Sequence, residues 1–205
     1  MAKRSGEPKT KRGVGRPRSF DRDKALEAAM LLYWERGYEG VTISELTAAM
    51  GIMPASLYAA FGNKETLYSE ALAYYQAHER PTWKPLAQAS LRETLIALFE
   101  QGVRVVTRRG RPRGCMIASG FLDAASGNEH LAEEPRRLRA VLRRDLLERM
   151  EAAGAAGELA EDVDPKAAAL FLAALLAGIS VQAKDGVTAR DLSRVTDIAV
   201  TALSA

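Results

Sequence analysis

Helical periodicity is the feature that most restricts the fold of this sequence. From Asp21 onward the apolar residues recur three and four positions apart, and no run of alternating polar and β-branched residues is long enough for a sheet. In the first such segment the apolar residues share one helical face: Leu26, Ala29, Met30, Tyr33 and Trp34. The sequence therefore predicts an all-α fold of about nine helices, with a short one near 115–124 and a long one over 129–156.

Composition narrows the class of protein. With 205 residues, 47% of them hydrophobic, the chain can bury a full core. One cysteine rules out an internal disulfide framework, and the two histidines, His78 and His130, are too few and too far apart for a dedicated zinc site. The basic N-terminus lacks the apolar run of a secretory signal. We therefore expect a cytoplasmic protein without metal or cofactor.

Two function classes are disfavoured by the residues themselves. The longest uncharged run, 167–183, has 17 residues, fewer than the roughly 20 that cross a membrane, and predicts a largely buried helix instead. The sequence has no nucleophile elbow, P-loop or histidine–glutamate metal motif, and neither His78 nor His130 has a nucleophile close to it in sequence. We expect no catalytic residues and no membrane partner.

Positive charge is concentrated at the N-terminus. Residues 1–18 contain seven lysines or arginines and one glutamate, whereas the remaining residues carry a net charge of −3. The tetrapeptide GRPR occurs in this arm and again at 110–113. Such an arm either binds a polyanion such as nucleic acid or serves only as a solubilising tail. Arg16 and Arg18 of the first copy stand just before the first helix, so an extended arm that binds DNA could reach a minor groove with them. The second copy is expected to form a solvated loop.

Two short predicted helices separated by Gly51 form the pattern of a helix-turn-helix. Thr42 and Glu45 fit a capping box at the start of the first helix, and Pro54 opens the second. Helical hairpins with glycine turns also occur in proteins that bind no DNA, so spacing alone does not decide. The apolar residues that would face inward are Ile43, Leu46, Leu57 and Phe61.

Side-chain identity in this region is more specific. The stretch GYEGVTISELTAAMGIMPASLYAAFGNKETLY resembles the DNA-binding domain of the TetR family of bacterial regulators. The segments GRPRSFDRDKAL, SLYAAFGNKETLY and LLAGISVQAKDGVTARDL are similar to the subgroup that contains the repressor ComR. The residues that carry the family resemblance are Gly37-Tyr38, Thr42, Ala49-Met50-Gly51-Ile52, Leu57-Tyr58, Phe61 and Lys64.

The resemblance implies an N-terminal reader of DNA joined to a helical domain that dimerises and binds a small effector. We accordingly divide the chain into a basic arm (1–20), a helix-turn-helix domain (21–66) and an effector-binding and dimerisation domain (67–205). The implied function is a ligand-responsive repressor that binds a pseudopalindromic operator in double-stranded DNA as a homodimer. The alternative is an architectural nucleic-acid-binding protein without an effector.

Each outward-facing residue of the helix-turn-helix receives a predicted role. Thr42 and Lys64, at helix N-termini, and Tyr58, through its hydroxyl, would contact phosphates and fix the register of the protein on DNA. Base edges would be read by side chains with few hydrogen-bonding groups, so thymine methyl contacts and DNA shape would carry much of the specificity. These base-reading residues are Met53, Pro54, Ala55, Ser56 and Ala59.

The remaining predicted sites lie in the C-terminal part of the chain. Cys115 is either a core filler or, since four arginines precede it, a redox or soft-metal sensor. The predicted effector pocket is lined by some of the residues Trp83, Leu95, Phe99, Cys115, Met116, Phe121, Phe171 and Leu175. The predicted dimer interface is an uncharged face of the last two helices: Ala169, Leu172, Ala173, Leu176, Ile179, Ile198 and Ala199.

Overall fold

The all-α prediction is confirmed. The structure, a computed structural model, describes residues 20–79, 90–119 and 126–205. Within these ranges the chain forms eight α-helices and one 3₁₀-helix. In chain order they are α1 (Arg22–Arg36), α2 (Ile43–Met50), α3 (Pro54–Phe61), α4 (Lys64–His78), α5 (Leu91–Val106), the 3₁₀-helix (Glu129–Ala132), α6 (Glu133–Ala155), α7 (Pro165–Lys184) and α8 (Ala189–Leu203).

Local sequence signals explain most helix boundaries. The Asp21 carboxylate accepts hydrogen bonds from the first amides of α1, and Thr42 completes a capping box at the start of α2. Gly51 ends α2 in the left-handed conformation, with φ of 65°. The helix predicted over 115–124 is wrong in its described part, because residues 116–118 form a turn and no helix is present over 115–119. The long helix predicted from Glu129 begins as a 3₁₀ turn and becomes α-helical at Glu133.

Two hydrophobic cores divide the molecule. The first joins α1 to α4 and also takes in Met116, Ile117 and Leu138 from further along the chain. The second is formed by α5, α6, α7 and α8. Cys115 is half-buried and packs against both cores. The domain boundary at residue 66 stays a prediction, and α4 crosses it as one continuous helix.

Helix α7 is apolar on nearly all sides. By length and composition alone it could cross a membrane, with a mean hydropathy of 1.7 and one third of its residues buried. One face packs into the second core, mainly against α5 and α6. The opposite face leaves large side chains exposed, namely Leu170, Phe171 and Val181. One apolar face of α7 is therefore buried inside the protomer, and a second apolar face is exposed.

Candidate functional site

The helix-turn-helix is built as its apolar pattern predicts. Leu46, Leu57 and Phe61 are almost fully buried beneath α2 and α3, and Ile43 packs at the edge of the same core. The outer surface of α3 remains free: the side chain of Met53 before it is 72% exposed and that of Tyr58 is 51% exposed. The short helix α3 is therefore presented on the surface with its inner face anchored.

The structure brings most of the predicted DNA-contacting residues to the surface. Ser56 and Lys64 are half-buried, whereas the others within the described ranges are exposed. Arg16 and Arg18 lie outside the described residues. The exposed members are Thr42, Met53, Pro54, Ala55, Tyr58 and Ala59.

Thr42 and Glu45 form a closed hydrogen-bonded unit at the start of α2. The Thr42 hydroxyl donates to a Glu45 carboxylate oxygen at 2.7 Å and accepts from the Glu45 amide at 3.2 Å. Arg36 pairs with the other carboxylate oxygen at 2.7 Å. The hydrogen bonds from Thr42, followed by the contact with Arg36, lower the pKa of Glu45 to about 2. Thr42 therefore already has a structural function as a helix cap.

Lys64 is fixed at the N-terminus of α4 by an aromatic ring. Its Nζ atom lies 4.1 Å from the centroid of the Tyr38 ring, a cation–π contact. Its backbone carbonyl accepts a hydrogen bond from the Tyr33 hydroxyl at 3.2 Å. Burial lowers the pKa of Lys64, although nearby glutamates oppose the shift. These contacts hold the Lys64 ammonium group beside the helix-turn-helix.

The second GRPR segment is not a solvated loop, so that expectation is wrong. Arg111 donates to Glu27 of α1 at 2.8 Å and, through Nε, pairs with Glu79 at 3.1 Å. Arg108 also pairs with Glu79, whose side chain is only 4% exposed. The buried Glu79 carboxylate at the end of α4 needs cationic partners, and these arginines supply them. The segment ties α1 and α4 to the chain that follows α5.

Hydrogen bonds to backbone groups also hold this segment in place. The amide of Gly114 donates to the carbonyl of Val106 at 2.9 Å, and its carbonyl accepts from the indole nitrogen of Trp34 at 3.2 Å. Arg113 donates to the carbonyl of Val187 at 2.6 Å. We call residues 107–114 the arginine loop. The arginine loop contacts α1 on one side and the turn between α7 and α8 on the other.

A cavity of about 280 Å³ lies between α5, α6 and α7. The loop residues Cys115, Ile117 and Ala118 complete its wall. Among the described residues, the lining is apolar except for Cys115, Arg139 and Arg143 and contains no carboxylate. The cavity is partly open to solvent, and an apolar cleft with a few polar groups is the usual form of a small-molecule site.

The cavity lining differs from the predicted effector pocket. Cys115 lines the cavity, whereas Leu95 and Phe99 are fully buried in the second core and Met116 in the first. Phe171 is 46% exposed, and Leu175 packs at the edge of the second core. Trp83 and Phe121 lie outside the described residues.

Small residues of α7 mark the cavity, and the sequence-based prediction of the pocket did not include them. Ala173, Ala174 and Ala177 of α7 line the cavity opposite the α6 arginines, and their short side chains leave the space open. The prediction instead relied on large apolar side chains, which fill volume in a core.

Cys115 connects the cavity wall to α4. Its sulfur accepts a hydrogen bond from the Tyr75 hydroxyl at 3.3 Å, and its amide donates to the Ser180 hydroxyl at 2.8 Å. The Tyr75 ring packs edge-on against Trp34, with ring centroids 4.9 Å apart. One residue therefore contacts the cavity, α4 and α7 at once.

The predicted dimer interface must be corrected on both helices. Within a single protomer most of its residues are already buried in the second core, because the inward face of α7 packs against α5 and α6: Ala169, Leu172, Leu176, Ile179 and Ala199. Ala173 lines the cavity. Ile198, in contrast, is 70% exposed. The apolar surface that remains open, which we call the apolar stripe, consists of Leu170, Phe171, Val181, Val195 and Ile198, and Leu170 also lines the cavity.

Comparison with known proteins identifies the family. The family model for bacterial regulatory proteins of the tetR family matches residues 25–71, and that for the tetracyclin repressor-like C-terminal domain matches residues 92–199. The HTH-type transcriptional repressor ComR of Escherichia coli (strain K12) is 30% identical over 190 residues, 90% of each chain. A solved structure of the TetR family transcriptional regulator CifR, a cysteine-substituted variant complexed with a 26-base-pair operator DNA, is 42% identical with a TM-score of 0.83 and covers 92% of this chain and 100% of that one.

These matches cover both parts of the chain, the exposed helix-turn-helix and the helical region that contains the cavity. The chain therefore belongs to the TetR family of bacterial transcriptional regulators.

Proposed function

We propose that this protein is a cytoplasmic, ligand-responsive repressor that binds a pseudopalindromic operator as a homodimer. The observation that carries the proposal is the hydrogen bond from Tyr75 of α4 to Cys115 in the cavity wall, because it connects a ligand-sized space to the helix that follows the reader. ComR is named a repressor, and CifR was solved on operator DNA. An architectural DNA-binding protein would have no use for such a cavity, which favours the regulator over that alternative.

DNA recognition is assigned to the exposed surface around α3. Tyr58 would contact phosphate, together with Lys64 at the start of α4 and the amides at the start of α2 beside Thr42. The surface of α3 itself offers few hydrogen-bonding groups, with Met53, Pro54 and their neighbours providing apolar contacts. Specificity would then depend on thymine methyl groups and on DNA shape.

The Tyr58→Ala substitution is expected to weaken DNA binding about tenfold, which is about 1.4 kcal/mol. The loss should be equal for the operator and for a scrambled duplex, because a phosphate contact carries no sequence information. Fluorescence anisotropy at one fixed salt concentration measures both affinities. Ser56→Ala is the comparison variant, and it should change the ranking of operator variants. A loss for Tyr58→Ala confined to the operator would contradict its assignment to phosphate.

Dimerisation is assigned to the apolar stripe on α7 and α8. Large exposed apolar side chains on two helices that contact each other are typical of a surface that pairs with a second copy. A twofold axis through this surface would place two readers on the two halves of a pseudopalindrome.

The Ile198→Glu substitution is expected to raise the dimer dissociation constant at least about tenfold, because it places a charge in the centre of an apolar contact. Sedimentation velocity over a range of protein concentrations measures the change. Ser193→Glu adds the same charge to an exposed position of α8 outside the apolar stripe and should leave the dissociation constant unchanged. An unaltered dimer in the Ile198 variant would exclude this surface as the interface.

The proposed response to ligand passes through the cavity wall. Val106 and Cys115 both line the cavity and flank the arginine loop, so a ligand that displaces them would also move Arg111 and Tyr75. These residues hold α1 and α4, whose positions set the spacing of the two readers. A difference of about 1–3 kcal/mol in ligand affinity between the two states changes operator affinity roughly 5- to 150-fold.

Thermodynamic linkage tests the regulatory proposal. A thermal-shift screen of metals and apolar metabolites first identifies a ligand of the native protein. If that ligand lowers operator affinity, it must bind more weakly by the same factor when operator DNA is present. A ligand that occupies the cavity and binds equally tightly with and without operator would refute the coupling.

A further inference from the structure

The cavity has one charged wall. Its apolar lining comes largely from α5 and α7, whereas the charged residues of its described lining, Arg139 and Arg143, belong to α6. The two arginines are four positions apart, so they occupy the same face of the helix one turn from each other. A molecule in the cavity would therefore meet positive charge on one side and hydrocarbon on the others.

Arg139 and Arg143 carry like charges close together, and Arg143 is exposed to solvent. Like charges four positions apart on a helix repel each other. Burial lowers the pKa of Arg139, and the neighbouring charges of Arg136 and Arg143 lower it further. Arg139 donates to the carbonyl of Ile117 at 2.7 Å, which fixes its side chain in the wall. Among the described residues, Arg143 forms no ion pair with a carboxylate.

An anionic ligand between the two guanidinium groups would reduce the repulsion between their charges. A carboxylate accepts charge-assisted hydrogen bonds from guanidinium groups, and two arginines on one helix face offer several donors to it. The apolar remainder of the lining favours a hydrocarbon body, since burial of apolar surface stabilises binding in proportion to area.

We propose that the cavity binds an amphipathic organic anion, a monocarboxylate with a hydrocarbon tail, with its carboxylate at Arg143 and Arg139 and its tail between α5 and α7. The inference rests on the proposal that this cavity is the effector site, and it adds the chemical class of the ligand.

The test compares two probes of equal length, octanoate and octanol, on the full chain. Isothermal titration calorimetry should show octanoate binding at least tenfold more tightly than octanol. Arg143→Gln should weaken octanoate binding about tenfold and leave octanol binding unchanged. Arg136→Gln is the matched control, because it removes the same charge from an exposed position of α6 outside the cavity. Both probes should bind this control as they bind the unsubstituted protein.

The single cysteine of the chain reports where the probe binds. Cys115 lines the cavity and is half-buried, so bound octanoate should slow its alkylation by a maleimide. At an octanoate concentration near its dissociation constant for the unsubstituted protein, the protection should be much weaker in the Arg143→Gln protein.

Several results would overturn the inference: equal affinities for octanoate and octanol, equal losses in the Arg143 and Arg136 variants, or no binding of either probe. A different result separates this inference from the proposed function. If octanoate binds in an Arg143-dependent way but leaves operator affinity unchanged, the ligand class stands and the effector role of the cavity fails.

Discussion

Replacing Glu79 by glutamine is expected to lower the free energy of unfolding by about 3 kcal/mol. The Glu79 side chain is nearly inaccessible to water and pairs with both Arg108 and Arg111. Glutamine keeps the shape but removes the charge, so Arg108 would lose its carboxylate partner and Arg111 would keep only Glu27. Urea denaturation at a fixed protein concentration measures the loss.

Glu70→Gln is the matched control for this experiment. It makes the same change on the same helix and removes an ion pair with Arg22, whose N–O distance is 2.6 Å. The Glu70 side chain is 32% exposed, so water screens the charge and the loss should be about 1 kcal/mol or less. Equal losses at Glu70 and Glu79 would show that burial does not strengthen the Glu79 contacts.

Gly114→Ala is expected to destabilise the protein by about 3 kcal/mol. Gly114 has a φ of +84°, a conformation that costs a residue with a side chain about 1–2 kcal/mol. An added Cβ would also lie 3.0 Å from the carbonyl oxygen of Ser180 and 2.9 Å from Cγ of Lys184. The lysine side chain can move away, but the backbone of α7 cannot, so the arginine loop would have to lift from α7.

Gly110→Ala separates the two contributions. Gly110 lies in the same loop with a φ of +75°, yet an added Cβ would meet nothing within 4 Å. Its loss should therefore reflect the backbone conformation alone, about 1 kcal/mol. Thermal unfolding of both variants measures the difference. If Gly110→Ala were as destabilising as Gly114→Ala, close contact with α7 would not be the cause.

The helix-turn-helix could be predicted from the sequence because its determinants are local. Thr42 and Glu45 form their capping box within three residues, and Gly51 supplies the left-handed turn that a side chain would resist. The apolar residues Leu46, Leu57 and Phe61 show one consistent inner face. Signals of this kind depend on residues close together in sequence, so they can be recognised without knowledge of tertiary contacts.

The contacts of the arginine loop could not be predicted in this way. Glu27, Glu79 and Arg111 are separated by many residues, and each is of a type that usually lies on the surface. Nothing in the local pattern distinguishes a buried glutamate at a helix end from a solvated one. Repetition of GRPR was therefore a poor guide to its role.

The predicted dimer interface differs from the apolar stripe for another reason. Helix α7 contains apolar residues on almost every side, so its sequence has no polar face to mark the surface. Which side turns inward depends on the shapes of α5 and α6. Leu172 and Leu170 are equally apolar, yet the first is fully buried and the second is 62% exposed.

The first hydrophobic core has a consequence for recombination between regulators. Met116, Ile117 and Leu138 complete the hydrophobic core around α1 to α4, and the indole nitrogen of Trp34 donates to the carbonyl of Gly114. Residues 20–79 therefore do not contain all of the side chains that form their core. A chimera that joined only this segment to the helices of another family member would expose hydrocarbon and leave a buried indole nitrogen unsatisfied. A crossover that transplants this DNA specificity intact would need to carry the chain through Leu138.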